Sequence, residues 1–149
     1  MKRVFAIAGA AVAVASLAGP AAAASRPGPE DRVVYHHTRP GVGDPCEGLP
    51  GCTYVLLWGD PKTGPSEAMF TLKAGTPFAP HWHTSPEHVV GVSGTMLWHV
   101  EGHRTYKVGR GDFLYYPSKA VHWGSCAKGA DCVYFVRDDR PYDIHPTHH

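Results

Sequence analysis

The residues best suited to chemistry in this chain are His81-Trp82-His83 and Glu87, with His122 farther along. Gly75 is followed by five residues, then the His-Trp-His triplet, three more residues, Glu87, and six residues before Gly94. On a β-strand alternate side chains share a face, so His81 and His83 are expected to point one way and Trp82 the other. Thr84-Ser85-Pro86 predicts a bend, and Glu87 then re-enters at the start of the next strand. A second segment offers a third imidazole: Gly111, five residues, Pro117, four residues, then His122 opening a further strand. Three neutral imidazoles and one carboxylate carry a net charge of about −1 and suit a divalent transition metal such as Mn, Fe, Co, Ni, Cu or Zn. Four protein ligands leave one or two coordination positions for water, dioxygen or a substrate, where a structural zinc site is closed and more often thiolate-rich. Glu87 is therefore a candidate metal ligand and a candidate proton acceptor.

Around these residues, Trp98, Phe113, Tyr115 and Tyr116 are candidates to line a pocket, and either tyrosine hydroxyl could orient a bound oxygen. Gly91, on the same side of its strand as Glu87, is expected to leave space beside the ion. Arg104 and Arg137 are candidate clamps for a carboxylate. The remaining histidines (His36, His37, His88, His99, His103, His145, His148 and His149) fit no ligand spacing and read as structural or exposed.

The elements that must position these groups are short strands. Tyr54–Trp58, Ala68–Lys73, His88–Val92, Met96–Val100, Arg104–Val108, Phe113–Tyr116 and Val133–Arg137 alternate or run apolar. Gly59-Asp60-Pro61, Ala74-Gly75-Thr76-Pro77, Ser93-Gly94, Glu101-Gly102 and Gly109 to Asp112 punctuate them. Strands of this length at this spacing predict an all-β antiparallel sandwich or barrel. No helical stripe and no internal repeat is evident after residue 24.

The two ligand-bearing segments resemble the paired motifs of the cupin superfamily, G-x5-H-x-H-x(3,4)-E-x6-G and G-x5-P-x-G-x2-H-x3-N. The first is met at Gly75, His81, His83, Glu87 and Gly94. The second keeps Gly111, Pro117 and His122, with Lys119 in place of the usual Gly and Cys126 in place of the usual Asn. The resemblance covers roughly Tyr54 to Arg137. It implies an antiparallel jelly-roll β-barrel with a metal inside, held by His81, His83, Glu87 and His122. Known cupins include dioxygenases, decarboxylases, lyases and isomerases, as well as sensors and storage proteins. Two functions follow as expectations: a small metalloenzyme acting on a chelating enol, hydroxy acid or carboxylate, or a non-catalytic metal- or ligand-sensing module. A small-molecule ligand is the expected partner, and a homodimer is a second candidate.

The ends of the chain differ from its middle. Lys2 and Arg3 precede an apolar run from Val4 to Ala18, then Gly19-Pro20 and Ala22-Ala23-Ala24. This order reads as a secretory signal peptide over residues 1–24, cut between Ala24 and Ser25. The run of about 15 residues is shorter than the roughly 20 that a bilayer span requires, so no stable membrane anchor is expected. Residues 25–53 read as a Gly/Pro-rich arm with one short strand at Val33 to His37, residues 54–140 as the barrel, and 141–149 as a loosely held polar tail.

A formal net charge of +1 gives no electrostatic footprint for nucleic acid. The four cysteines form two units with five intervening residues, Cys46/Cys52 and Cys126/Cys132. In a periplasmic or secreted protein these predict two local disulfides. Closing each ring would stabilise the fold by roughly 2 kcal/mol on the chain-entropy account. Zinc sites space their cysteines more closely, which disfavours a thiolate site.

Overall fold

The structure, a computed structural model, describes residues 33–147. The expected signal peptide, its cleavage point at Ala24/Ser25, the first part of the arm, and His148 and His149 lie outside the described residues.

Eleven strands follow in chain order: β1 Asp44–Pro45, β2 Cys52–Gly59, β3 Ser66–Leu72, β4 Pro77–Trp82, β5 Glu87–Ser93, β6 Met96–Val100, β7 Tyr106–Val108, β8 Phe113–Tyr116, β9 His122–Cys126, β10 Cys132–Asp138 and β11 His145–Pro146. They form two antiparallel sheets, one ordered β1-β2-β3-β10-β5-β8 and the other β11-β4-β9-β6-β7. Together they build an all-β antiparallel barrel, as the strand spacing predicts, with the jelly-roll architecture that the resemblance implies. Among the described residues there is no helix.

Alternation decides what each strand buries. In β6 Met96, Trp98 and Val100 face inward, and in β5 Glu87, Val89 and Gly91 do so. Leu72, Val89, Met96, Trp98, Leu114, Tyr116, Tyr134 and Val136 make the core between the sheets. Apolar side chains removed from water stabilise at about 25 cal/mol per Å², and the core is one contiguous cluster. The disulfides Cys46–Cys52 and Cys126–Cys132 both form. The second joins the end of β9 to the start of β10 and so links one sheet to the other.

Three local expectations are corrected. Val33 to His37 is not a strand; its side chains, Val33 and Tyr35 above all, stand in solvent, and the arm pairs with β2 only through Asp44 and Pro45. Pro77, expected in a turn, begins β4, a place where proline's missing N–H costs no ladder bond. The tail after residue 140 is not loose: His145 and Pro146 pair with Trp82 and His81 of β4. A short polar segment gives no sign in its own residues of where its backbone hydrogen bonds will go.

Candidate metal centre

Strands β4, β5 and β9 bring the sequence-predicted residues together. His81 and His122 are direct partners across the β4–β9 ladder, with ring centroids 4.2 Å apart. A register irregularity between Phe78 and His81 bends β4 there. The bend lets both residues face the interior despite their spacing: Phe78 packs 5.2 Å from Trp98 and 6.4 Å from His122. His83, just past the end of β4, brings its ring to 4.8 Å from His81 and 5.2 Å from His122. One nitrogen of each of the three imidazoles lies within 4.8 Å of the others.

Glu87 opens β5 beside them. Its Oε2 is 3.5 Å from His83 Nε2 and 3.7 Å from His122 Nε2. Two atoms each bound about 2.1 Å from a common ion stand roughly 3 to 4 Å apart, and both pairs fall in that range. The Tyr116 hydroxyl donates to the same Glu87 oxygen, from the position directly opposite on β8.

The hydrogen bonds fix which face of each imidazole is free. His81 Nδ1 lies 2.7 Å from the Ala79 carbonyl, His122 Nδ1 lies 3.0 Å from the Ala120 carbonyl, and His83 Nδ1 meets the Asp143 carbonyl. A carbonyl only accepts, so each Nδ1 must carry the proton and each Nε2 presents a lone pair. Burial holds the rings neutral, taking His81 down to about 4 and His122 to about 3 and lowering His83 as well. Neutral imidazoles are the form that binds metal.

The carboxylates tell the complementary story. Burial raises Glu87 above the ordinary carboxylate range, against the lowering effect of Tyr116. Asp138, directly across the β10–β5 ladder from Glu87, is raised by burial and then by Glu87 itself. Its Oδ1 has no protein partner, and neither has the buried Trp98 Nε1. Two buried acids facing three unprotonated imidazoles form a set that a divalent cation would neutralise. The donor set therefore fits a metal ion.

The profile of a family described as the cupin domain matches residues 68–137, a stretch that holds all four of these residues. Residues 68–137 are a cupin domain. No curated protein matches it in sequence. Among solved structures, this cupin is similar to the polyketide cyclase RemF from Streptomyces resistomycificus, with 20% identity and a TM-score of 0.59 over 83% of this chain and 85% of that one. It is similar to the DMSP lyase DddQ from Ruegeria pomeroyi DSS-3, with 18% identity and a TM-score of 0.55 over 62% of this chain and 52% of that one. It also resembles the salicylate 1,2-dioxygenase from Pseudoaminobacter salicylatoxidans, with 18% identity and a TM-score of 0.55 over 67% of this chain and 31% of that one. The chain spans about half the length of the DMSP lyases it resembles. These likenesses are of fold.

The cupin's two motif departures have local explanations. Lys119, where the family usually has Gly, sits at φ 65°, the left-handed conformation that glycine adopts at least cost. Its N–H donates to the His83 carbonyl at 2.8 Å, so this strained residue steadies the ligand strand. Cys126 exchanges backbone hydrogen bonds with the β3–β4 turn through Gly75 and Thr76 and is locked to Cys132.

The pocket expectations divide. Trp98 and Tyr116 are buried and face the site, Trp98 stacked 6.2 Å from His122 and Tyr116 4.3 Å from it. Phe113 and Tyr115 do not line a pocket. They point outward from β8, 63% and 49% exposed, with Tyr115 against His88. The run Phe-Leu-Tyr-Tyr gives a period of two but not its phase. Gly91 does not leave room beside the ion, because a Cβ there would meet the Gly109 carbonyl oxygen at 1.9 Å. The space belongs to the β7–β8 turn, whose Gly111 N–H bonds Gly91. Arg137 is held by Glu67 and Asp139 at 3.1 Å each, and the exposed Arg104 rests over the Tyr106 ring.

Sequence reasoning missed Asp138 and Tyr142, whose ring lies 5.2 Å from that of His83. Asp138 alone carried a signal, an acid ending an apolar strand.

Proposed function

We propose that this chain is a metal-dependent enzyme acting on a small chelating molecule (an enol, hydroxy acid or carboxylate), in a dioxygenase-like or lyase-like reaction. The observation that carries the reading is the set of three Nε2 lone pairs, each oriented by a backbone carbonyl, converging beside a buried carboxylate. His81, His83, Glu87 and His122 would hold one divalent transition metal, with Mn, Fe, Zn, Cu and Ni all compatible with the donors. When bound, such an ion supplies Lewis acidity toward a chelating oxygen.

The protein's own groups do the rest. Phe78 and Trp98 make an apolar wall against His122 that keeps water from one side of the reacting molecule. Glu87 is the group to take a proton, and the Tyr116 hydroxyl bonded to it steadies either protonation state. The fold neighbours include a lyase, a cyclase and a dioxygenase, so all three reaction classes belong in the trial.

The two disulfides support an oxidising, extracytoplasmic location. Among the described residues no helix is long and apolar enough to cross a membrane. Elemental analysis of protein from its native compartment should give about one transition metal per chain. Oxygen uptake and product release with enols and hydroxy acids should then require Glu87 and the metal. Folded protein that takes up no transition metal would end this reading.

A further inference from the structure

The segment after β10 does not leave the barrel but runs back along the ligand strand. Six consecutive residues, Pro80 to Ser85, each meet it. The Thr147 N–H donates to the Pro80 carbonyl at 3.0 Å. Pro146 and His145 pair with His81 and Trp82, and the His145 ring stacks on Trp82 at 3.9 Å. The Asp143 carbonyl accepts from His83 Nδ1, and its carboxylate accepts from the Thr84 N–H at 2.7 Å. The N–H groups of Asp139 and Arg140 both donate to Ser85 Oγ, at 3.0 and 3.2 Å. Tyr142 closes the arrangement on its other side, its N–H donating to the Pro61 carbonyl at 2.8 Å.

The three histidines are thus oriented by two different means. His81 and His122 bond carbonyls only two residues back in the chain, at Ala79 and Ala120, and so carry their partners with them. His83 depends on a carbonyl 60 residues away in sequence. That carbonyl is held in place by the Asp143 side chain, whose Oδ1 accepts from the Thr84 N–H at 2.7 Å. An imidazole without its Nδ1 partner exchanges tautomers and rotates, and partners of this kind are worth about 10- to 100-fold in metal affinity.

We propose that the strap Asp139–Thr147 is a working part of the centre, with Asp143 the positioning residue that holds His83 with its Nε2 toward the other ligands. This rests on the metal-binding reading above, and it adds a residue that no motif marks.

The test has two readouts on the full chain, on Asp143→Ala, on Asp143→Asn, and on a chain ending at Arg140. In chelator-treated, ¹⁵N-labelled protein, long-range proton–nitrogen spectra report the tautomer of each histidine. Zinc affinity is then measured by competition with a chromophoric chelator. The full chain should show the Nδ1-protonated tautomer at all three histidines. The shortened chain should show mixed tautomers at His83 alone and bind zinc about 10- to 100-fold more weakly. Asp143→Ala should move both readouts in the same direction by about tenfold in affinity. Asp143→Asn, whose amide oxygen can still accept from Thr84, should stay within about threefold of the full chain. His81 and His122 are the internal control, since general loosening of the barrel would disturb them too. If the shortened chain fails to fold, Asp143→Ala decides. Variants that match the full chain in tautomer and in zinc affinity would overturn the proposal alone. A full chain with ordered tautomers that takes up no zinc would overturn it together with the metal-binding reading.

Discussion

The two ends of the described chain, the arm before β2 and the strap after β10, are alike in composition and opposite in use. Both are short on apolar side chains that could bury, and both carry prolines. The arm meets the barrel through Asp44 and Pro45 on β2, a Gly41 N–H to Thr71 Oγ1 bond, and the Cys46–Cys52 clamp. Its contacts fall on β2 and β3 toward the edge of the six-stranded sheet, where Cys46 and Leu49 also pack against the core. The strap instead gives its N–H and C=O groups to the residues on either side of His83. What separates them is the destination of the backbone hydrogen bonds, which every segment must find somewhere. A polar terminal segment is decoration or machinery according to which strand it satisfies.

The comparison can be broken or sharpened by experiment. The largest effect should come from His122→Ala, which removes a ligand outright and should weaken zinc binding by more than about 100-fold, beyond the loss expected for a missing orienting partner. That value sets the scale for both ends. Next, a chain beginning at Asp44 should bind zinc within about twofold of the full chain, against the 10- to 100-fold loss expected without the strap. Equal losses from the two truncations, read by chelator competition, would abolish the distinction.

The disulfides give a third contrast. Both rings have the same sequence separation of 6, so their entropic contributions should match at roughly 2 kcal/mol. Cys126 and Cys132 are 1% and 0% exposed, so replacing that pair with alanine also empties packed space. The thermal midpoint should fall further for Cys126→Ala/Cys132→Ala than for the arm's Cys46→Ala/Cys52→Ala.

A pH titration of chelator-treated protein comes fourth. Burial has lowered the three histidines, His81 to about 4 and His122 to about 3. Below about 6.5 the unfolded chain therefore takes up protons that the folded one refuses, and stability is lost as pH falls. Glu87 and Asp138 are raised; the folded chain protonates them first, and stability is lost as pH rises. The two contributions oppose each other, so the profile from pH 7 to 5 should be shallow. Asp138→Asn, just ahead of the strap, removes part of the opposition and should steepen the fall toward acid in urea titrations. The smallest effect belongs to the arm: Val42→Ala, at a side chain 62% exposed, should change stability by no more than about 0.5 kcal/mol.

Much of the barrel was legible because strand patterns are local. Met96–Val100 and Phe113–Tyr116 coincide with β6 and β8, and the other strands expected from Tyr54 onward fall within two residues of their observed limits, whereas Val33 to His37 forms none. The ligand strand itself was placed by its His-x-His spacing rather than by apolar alternation, since Pro77 and Pro80 interrupt the pattern. Phe113 and Tyr115 were misplaced by one phase of a two-residue period, which only the pairing of β8 with β5 decides.

By itself, the sequence determined that three imidazoles and a carboxylate would gather in a small β-barrel, and that its cysteines would pair locally. The pairing of the cysteines and the shared face of His81 and His83 depend on spacing within a few residues and on alternation along a strand, quantities that a linear chain carries; that His122 would join them is what the resemblance to the paired cupin motifs implied. Only the tertiary structure decided that Asp138 would face Glu87, that Gly109 would take the space beside Gly91, and that Asp143 would orient His83. Each of these joins residues far apart in the chain, and such meetings are set by sheet order and register, which no local pattern encodes.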